Sequence, residues 1–268
     1  EGQRIGVFAA SGVGKTTLIR QLATQIACDH CLLCLVGERG REVEGVWSDV
    51  SRLPGKFTCV AATSDQSAAT RARAVYQALA LAEHWRAKSR HVLLIIDSIT
   101  RFAMALRELG LASGAPPTLR AYTPNVFAAL PRVVERCGAQ KEGGSITAII
   151  TVLSETDDVD DPITEVMKSL LDGHIVLSRQ LVERGHFPAI DVLRSVSRQS
   201  ERLMSLQHAA AARAATALLS HYEESRLMIE TGLYKSGSNP RIDQAIRGRD
   251  RIEGFLRQRS GERALLED

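Results

Sequence analysis

The chain has 268 residues, at the upper edge of what a single core holds, so one large domain with an appendage is expected. With 44% hydrophobic and 24% charged residues its composition is that of an ordinary globular protein, and a net charge of +3 is too small to point to nucleic acid or an anionic membrane as a partner. It contains no run of about 18 uninterrupted apolar residues and no visible secretory signal.

The chain opens on Glu1 with no initiating Met and its first strand begins almost at once, so a piece of a longer protein, with a domain upstream, is expected. Ile5 to Phe8 is an apolar run that reads as a strand, and the residues from Thr17 to about Ala27 read as a helix. Between them stands Ala9-Ala-Ser-Gly-Val-Gly-Lys-Thr, the pattern of a phosphate-binding loop with Ala in its first slot. Gly12 and Gly14 allow the tight turn that points consecutive amide N–H groups inward at an anion, and the helix start aims its positive dipole end at the same place. Lys15 then reaches the β- and γ-phosphates, and the Thr16 hydroxyl is placed to hold a magnesium ion. The candidate nucleotide-binding residues are Ser11, Gly12, Val13, Gly14, Lys15, Thr16 and Thr17.

Cys28, Cys31 and Cys34 stand three apart, which superficially suggests a metal or cluster site. Cys31-Leu-Leu-Cys-Leu-Val reads instead as a buried strand, on which Cys31 and Cys34 point to opposite faces, so free thiols are expected. Gly37-Glu-Arg-Gly-Arg-Glu-Val leads into a second helix, Phe57 to Ala62 reads as a strand, and Ser67 to Ser89 as a long helix. His91-Val-Leu-Leu-Ile-Ile-Asp is a continuous apolar run of the kind buried on both faces of a parallel sheet. Alternation of strand and helix indicates an α/β doubly wound architecture. Asp97 ends that run at the edge where such sheets bind ligands. Alone it reads as a helix N-cap; with the phosphate loop upstream it is assigned to magnesium or its waters.

A helix from Ser98 to Leu109, a loop from Gly110 to Pro124 and a helix from Pro124 to Arg136 are expected next. A β-branched strand follows at Ile146–Leu153, then the acidic turn from Glu155 to Pro162, read as a solvated loop that would repel phosphates. Short apolar stretches lie at His174–Leu177 and Ala189–Leu193. From about Gln199 the chain becomes strongly helix-forming, with a turn at Tyr234–Pro240 and a further helix from Arg241 to Arg259. We therefore expect a nucleotide-binding unit at 1–199 and a smaller helical domain at 200–268.

The phosphate loop, Gly37-Glu-Arg-Gly-Arg-Glu, Leu93-Leu-Ile-Ile-Asp-Ser-Ile-Thr-Arg-Phe-Ala-Met-Ala-Leu-Arg-Glu, Leu171-Asp-Gly-His-Ile-Val-Leu-Ser-Arg and Gly185-His-Phe-Pro-Ala-Ile-Asp-Val-Leu-Arg-Ser-Val-Ser-Arg occur in that order. Together they resemble the ATPases of type III secretion systems and of flagellar export, relatives of the rotary ATP synthase subunits. The likeness runs from Gly2 to about Gln244. It implies a RecA-like, mostly parallel sheet flanked by helices, with a small C-terminal helical domain. It also implies Mg2+-dependent ATP hydrolysis by a homohexamer.

The resemblance assigns roles by position. Glu38 falls where the family has the carboxylate that polarises the attacking water. Arg39 would contact the γ-phosphate region, and Glu42 would help to order the magnesium waters. Arg198 matches an arginine finger that enters the neighbouring subunit's site, and Phe187 takes the place of an aromatic against the adenine face. Departures exist too. The β-barrel domain that usually precedes this core is not in the chain, so a monomer is expected in isolation. Ala10 stands where the family usually has Gly, so a shift of the phosphate loop is expected. Beyond Ile246 the segment is Arg-rich and matches poorly, so no role is assigned to it.

The implied setting is cytoplasmic, peripheral to the inner membrane at an export gate. Implied partners are a central stalk protein, a peripheral regulator and chaperone–substrate complexes, with no nucleic acid. A non-catalytic nucleotide-binding subunit of a rotary ring is the alternative, but such subunits usually carry Gln at the position of Glu38. A hexameric RNA translocase would need stacking aromatics and a basic channel, whereas aromatics are 4% of this chain.

Overall fold

A computed structural model of the chain describes residues 1–52, 55–153, 161–259 and 261–264. The apolar runs form the strands β1 (Arg4–Ala9), β2 (His30–Val36), β3 (Phe57–Ala62), β4 (His91–Asp97), β5 (Gly138–Ala139), β6 (Ser145–Leu153), β7 (Gly173–Leu177) and β8 (Ile190–Ser197). They make one eight-stranded sheet in the order β3-β2-β4-β6-β1-β7-β8, with the short β5 antiparallel on β6. All other pairs are parallel except β7 with β8.

The period of two along each strand divides the core. Leu32, Cys34, Val36, Val92, Leu94 and Ile96 face one side of the sheet. There they pack against α3 (Ala68–Arg86), α4 (Ile99–Ala112), α5 (Pro124–Glu135) and α6 (Pro162–Leu170). Cys31, Leu33, Leu35, Leu93 and Ile95 face the other side, covered by α1 (Lys15–Gln25) and α2 (Gly40–Ser51). Cys31 and Cys34 thus lie on opposite faces as expected, and all five cysteines are free. No cluster of three His, Cys, Asp or Glu fit for a metal occurs among the described residues. Burial pushes the thiols of Cys31 and Cys137 each up to about 12, which keeps them protonated and unreactive at neutral pH.

Several expectations need correction. Gly110 lies within α4 instead of beginning a loop; a Cβ there would stand 2.3 Å from Thr123 Oγ1, so glycine here serves close packing, not helix termination. After the acidic run, whose residues 154–160 lie outside the described residues, α6 begins at an N-cap that the sequence reading missed. Asp161 Oδ1 accepts from the N–H groups of Ile163 at 2.8 Å and Thr164 at 3.2 Å. A short helix, α7 (Arg179–Glu183), was also not anticipated. The apolar stretch at Ala189–Leu193 is the first half of the edge strand β8.

After β8 come the short α8 (Ser200–Leu203) and two long helices, α9 (Leu206–Glu230) and α10 (Pro240–Leu256), joined by the turn expected at Tyr234–Pro240. Arg249 ties the pair together: its guanidinium lies 4.3 Å from the Tyr222 ring centroid and donates to the Tyr222 hydroxyl at 2.9 Å. No helix among the described residues is long and apolar enough to cross a membrane.

Candidate active site

Parallel pairing brings the carboxyl ends of β1, β2 and β4 to one edge of the sheet, and the turns leaving them carry the charged residues. After β1 the chain turns through Gly12 (φ 79°) and Gly14 (φ 87°), left-handed conformations open to glycine, and enters α1. No side chain caps α1, so its first amide N–H groups face outward as an anion site requires. Ala10 is not in the left-handed region, so its methyl adds no strain of that kind to the turn.

Lys15, the first residue of α1, bridges two carboxylates. Its ammonium lies 3.3 Å from Glu38 Oε1, just beyond β2, and is hydrogen-bonded to Asp97 Oδ1 at the end of β4. All three side chains are nearly buried, at 11%, 9% and 6% exposure, so the charges interact in a medium that screens weakly. On the strand between β4 and β1, Thr151 lies wholly buried and donates to Asp97 Oδ1 at 2.7 Å. Sequence reasoning passed over Thr151; its only signal was a hydroxyl inside the apolar run of β6. Ser98 caps α4 by accepting from Arg101 N–H at 3.3 Å, so Asp97 is not needed as that cap.

The donor set suits magnesium. One carboxylate and the exposed Thr16 hydroxyl offer hard oxygen ligands, and an ion that is otherwise held by phosphates and water needs no more from the protein. That a cation, the Lys15 ammonium, lies against Asp97 shows the carboxylate is set up to face positive charge.

Other expected residues stand apart from this cluster. Ser11, Thr17, Arg39 and Glu42 are exposed, and no side-chain bond joins any of them to Lys15, Glu38 or Asp97 among the described residues. Arg39 is the N-cap residue of α2 and Glu42 lies in its first turn. Arg198 is at the far edge of the sheet: Ser197 pairs with Gly173, which pairs with Ile5 at the start of β1. The four-residue span from Ile5 to Ala9 alone separates it from the phosphate loop by about 13 Å of strand. Its guanidinium donates to the carbonyls of Lys168 at 3.2 Å and Ser169 at 3.5 Å, at the end of α6.

Beside the phosphate loop opens a cleft of about 620 Å³, with Val13, Gly14 and Thr17 on one wall and Phe187 and Pro188 on another. The segment after α10 completes it, contributing Arg257, Gln258, Arg259 and Glu262. Gln258 N–H donates to the Phe187 carbonyl at 2.9 Å, and Gln25 Nε2 to the Glu262 carbonyl at 3.1 Å. Arg257 Nε lies 3.5 Å from Nδ1 of the buried His186. Burial, aided by the Arg257 cation, holds that imidazole below its ordinary pKa and so neutral. The helix expected to reach Arg259 therefore ends at Leu256, and the freed residues wall the cleft.

The nucleotide-binding-domain model of the ATP synthase alpha/beta family matches residues 1–197. The chain belongs to that family. A second model, the C-terminal domain of the type III secretion ATPase EscN, matches residues 204–268, which corrects the reading of a poor match beyond Ile246. Among the family's members, the flagellum-specific ATP synthase of Bacillus subtilis is 49% identical over 270 residues, covering 100% of this chain and 61% of the relative. The type 3 secretion system ATPase of Pseudomonas syringae pv. tomato is 46% identical over 260 residues, covering 96% and 58%. The assembled ATPase EscN from enteropathogenic E. coli superposes with a TM-score of 0.94 at 43% identity, over 99% of this chain and 65% of that one. EscN solved with its central stalk EscO gives 0.89 at 41%, over 99% and 64%. The chain thus spans about three fifths of the length of the curated relatives it matches. The likeness to secretion and flagellar export ATPases that the motifs carried is upheld.

Proposed function

We propose that this chain is the hydrolytic core of an export ATPase, with residues 1–199 as the nucleotide-binding unit and 200–268 as its helical appendage. The observation that carries the reading is the convergence of Lys15, Glu38 and Asp97, from three different strand ends, on one nearly buried point beside an uncapped helix start. The loop amides from Ser11 to Thr17 cradle the phosphates, and Lys15 moves from the carboxylates to the β- and γ-oxygens. Phe187 and the segment from Arg257 to Glu262 hold the base in the adjoining cleft. Asp97 and Thr16 would hold Mg2+, which would neutralise charge on the phosphates, and Glu42 would help to order its waters. Glu38 orients the attacking water and accepts its proton.

Arg39 supports the γ-phosphate side of the site. Arg198 stands too far from its own phosphate loop to serve it, which supports a finger acting on the next subunit of a homohexamer. Such fingers are worth about 10³–10⁵ in rate, so hydrolysis depends on assembly. By its likeness to relatives in flagellar and type III secretion, the motor drives protein export. It works with a central stalk protein, a peripheral regulator and chaperone–substrate complexes in the cytoplasm, at the inner-membrane export gate.

The test is Glu38→Gln in the assembled protein. ATP affinity should stay near wild type, because Lys15 and the loop make the binding contacts. Turnover should fall about 10²–10⁴-fold, the usual contribution of a positioned base. Unchanged steady-state hydrolysis would remove Glu38 from catalysis.

A further inference from the structure

Arg179 ends the charged and apolar run that starts at Leu171 and opens α7, and its side chain has no part in the site as described so far. Its guanidinium reaches across to the phosphate loop, where Nη2 donates to the Ser11 carbonyl at 3.4 Å. Among the described residues these two groups are each other's only hydrogen-bond partners. The side chain is exposed, along a cavity of about 410 Å³ between α7 and the pair α9 and α10, so burial does not fix it. The Ser11–Gly12 peptide is trans, so its carbonyl and its N–H point in opposite directions. With the carbonyl drawn toward α7, the Gly12 N–H faces away from α7. Gly12 itself has φ 79° and open space where a side chain would stand. Turning the peptide over would carry that φ to about −100°, which glycine adopts about as readily. The residue that lets the loop turn therefore leaves this orientation undecided, and an outside donor decides it.

We propose that Arg179 is a positioning residue for the phosphate loop: by holding the Ser11 carbonyl it keeps the Gly12 N–H turned to the phosphates of a bound nucleotide. Without it the loop samples both orientations, and in the turned-over one a carbonyl oxygen meets the phosphates in place of a donor. Binding then carries the cost of turning the peptide back, and apparent affinity falls with the fraction of loops that are ready. Arg179 acts through the backbone and touches neither the phosphates nor the water, so saturating nucleotide restores the loop and with it the rate. The effect is confined to the phosphates, since Val13, Phe187 and the segment after α10 wall the base cleft. The inference rests on the reading of Ser11 to Thr17 as the phosphate cradle.

The experiment compares Arg179→Met, which keeps the stem and removes the donors, with Arg179→Lys in the assembled protein. Displacement of a fluorescent ATP analogue reads the affinity for ATP and for adenosine, and single-turnover hydrolysis at saturating ATP reads the rate. Arg179→Met should weaken ATP binding about tenfold, the worth of one hydrogen bond from a charged donor, and leave adenosine affinity and the saturating rate within about twofold. Arg179→Lys, which keeps a charged donor, should lose less ATP affinity. The loss should be the same at about 50 and about 500 mM salt, whereas a cation acting only through its distant field loses its effect at the higher value. Unchanged ATP affinity in Arg179→Met, an equal loss for adenosine, or a loss that salt removes overturns the proposal while leaving the reading of the loop in place. That reading is tested by Lys15→Ala: wild-type ATP affinity there overturns it, and the role of Arg179 with it. Thermal unfolding of each variant separates lost positioning from lost folding, and Arg179→Lys carries the test if Arg179→Met does not fold.

Discussion

Replacing Thr151 by Val changes one atom of near-equal size at a wholly buried position and removes the 2.7 Å hydrogen bond to Asp97 Oδ1. A hydrogen bond to a charged group contributes about 1.5–3 kcal/mol, and the new methyl recovers up to about 0.8 kcal/mol of apolar burial. The net loss is about 1–2 kcal/mol, which for a domain of this size lowers the thermal midpoint by about 2–8 °C. Among the described residues Asp97 then keeps only its contact with Lys15, so on the proposed reading nothing on β6 orients the carboxylate assigned to Mg2+ once Lys15 turns to the phosphates. The Mg2+ concentration for half-maximal hydrolysis should therefore rise, whereas Thr151→Ser, which keeps the hydroxyl, should restore both stability and Mg2+ dependence. Thermal unfolding and an Mg2+ titration of phosphate release measure the two effects. A Val variant with wild-type midpoint and wild-type Mg2+ dependence would refute the placement of Thr151 behind Asp97.

Two further outcomes are expected. Arg136 clasps Glu83 with two 2.7 Å hydrogen bonds that join α5 to α3, and these hold the Glu83 carboxyl below its ordinary value of 4.5. A depressed carboxyl stabilises the fold above its unfolded pKa and loses that effect as pH falls through the folded value. Glu83→Gln should thus cost about 1 kcal/mol near neutral pH, the pair being partly exposed, and the gap from wild type should begin to close near pH 4.5; a gap independent of pH would show that the ion pair does not carry it. Phe187→Ala should weaken ATP binding about tenfold, ~1.4 kcal/mol, with little change in the maximal rate. Equal affinities for ATP in the two proteins would take Phe187 out of the base cleft.

How much of this was legible beforehand depended on the range of the interaction. The phosphate loop is a local pattern, and β2, β4 and β6 are continuous apolar runs, so their existence and the carboxylate at the tip of β4 could be read directly. Glu38 could be located only by resemblance, since a charged turn after a strand is common. Thr151 contacts Asp97, 54 positions away, and nothing in its own neighbourhood announces that. The segment from Arg257 to Glu262 reads as more helix because its Arg and Gln residues favour helix; its contacts lie at Phe187 and at Gln25, 237 positions from Glu262. The helix α6 was hidden because its cap, Asp161, ends an acidic run in which no single Asp stands out.

The central claim is that one site is built by two subunits, with Glu38 and Arg198 of the same chain serving different sites. Its most direct test is hydrolysis by mixed assemblies of Glu38→Gln and Arg198→Ala subunits, each nearly inactive alone. In an equal random mixture about a quarter of the sites pair an intact Glu38 with an intact neighbouring finger, so activity should return to roughly a quarter of wild type. Activity of the mixture that stays at the level of the separate variants would contradict a shared site.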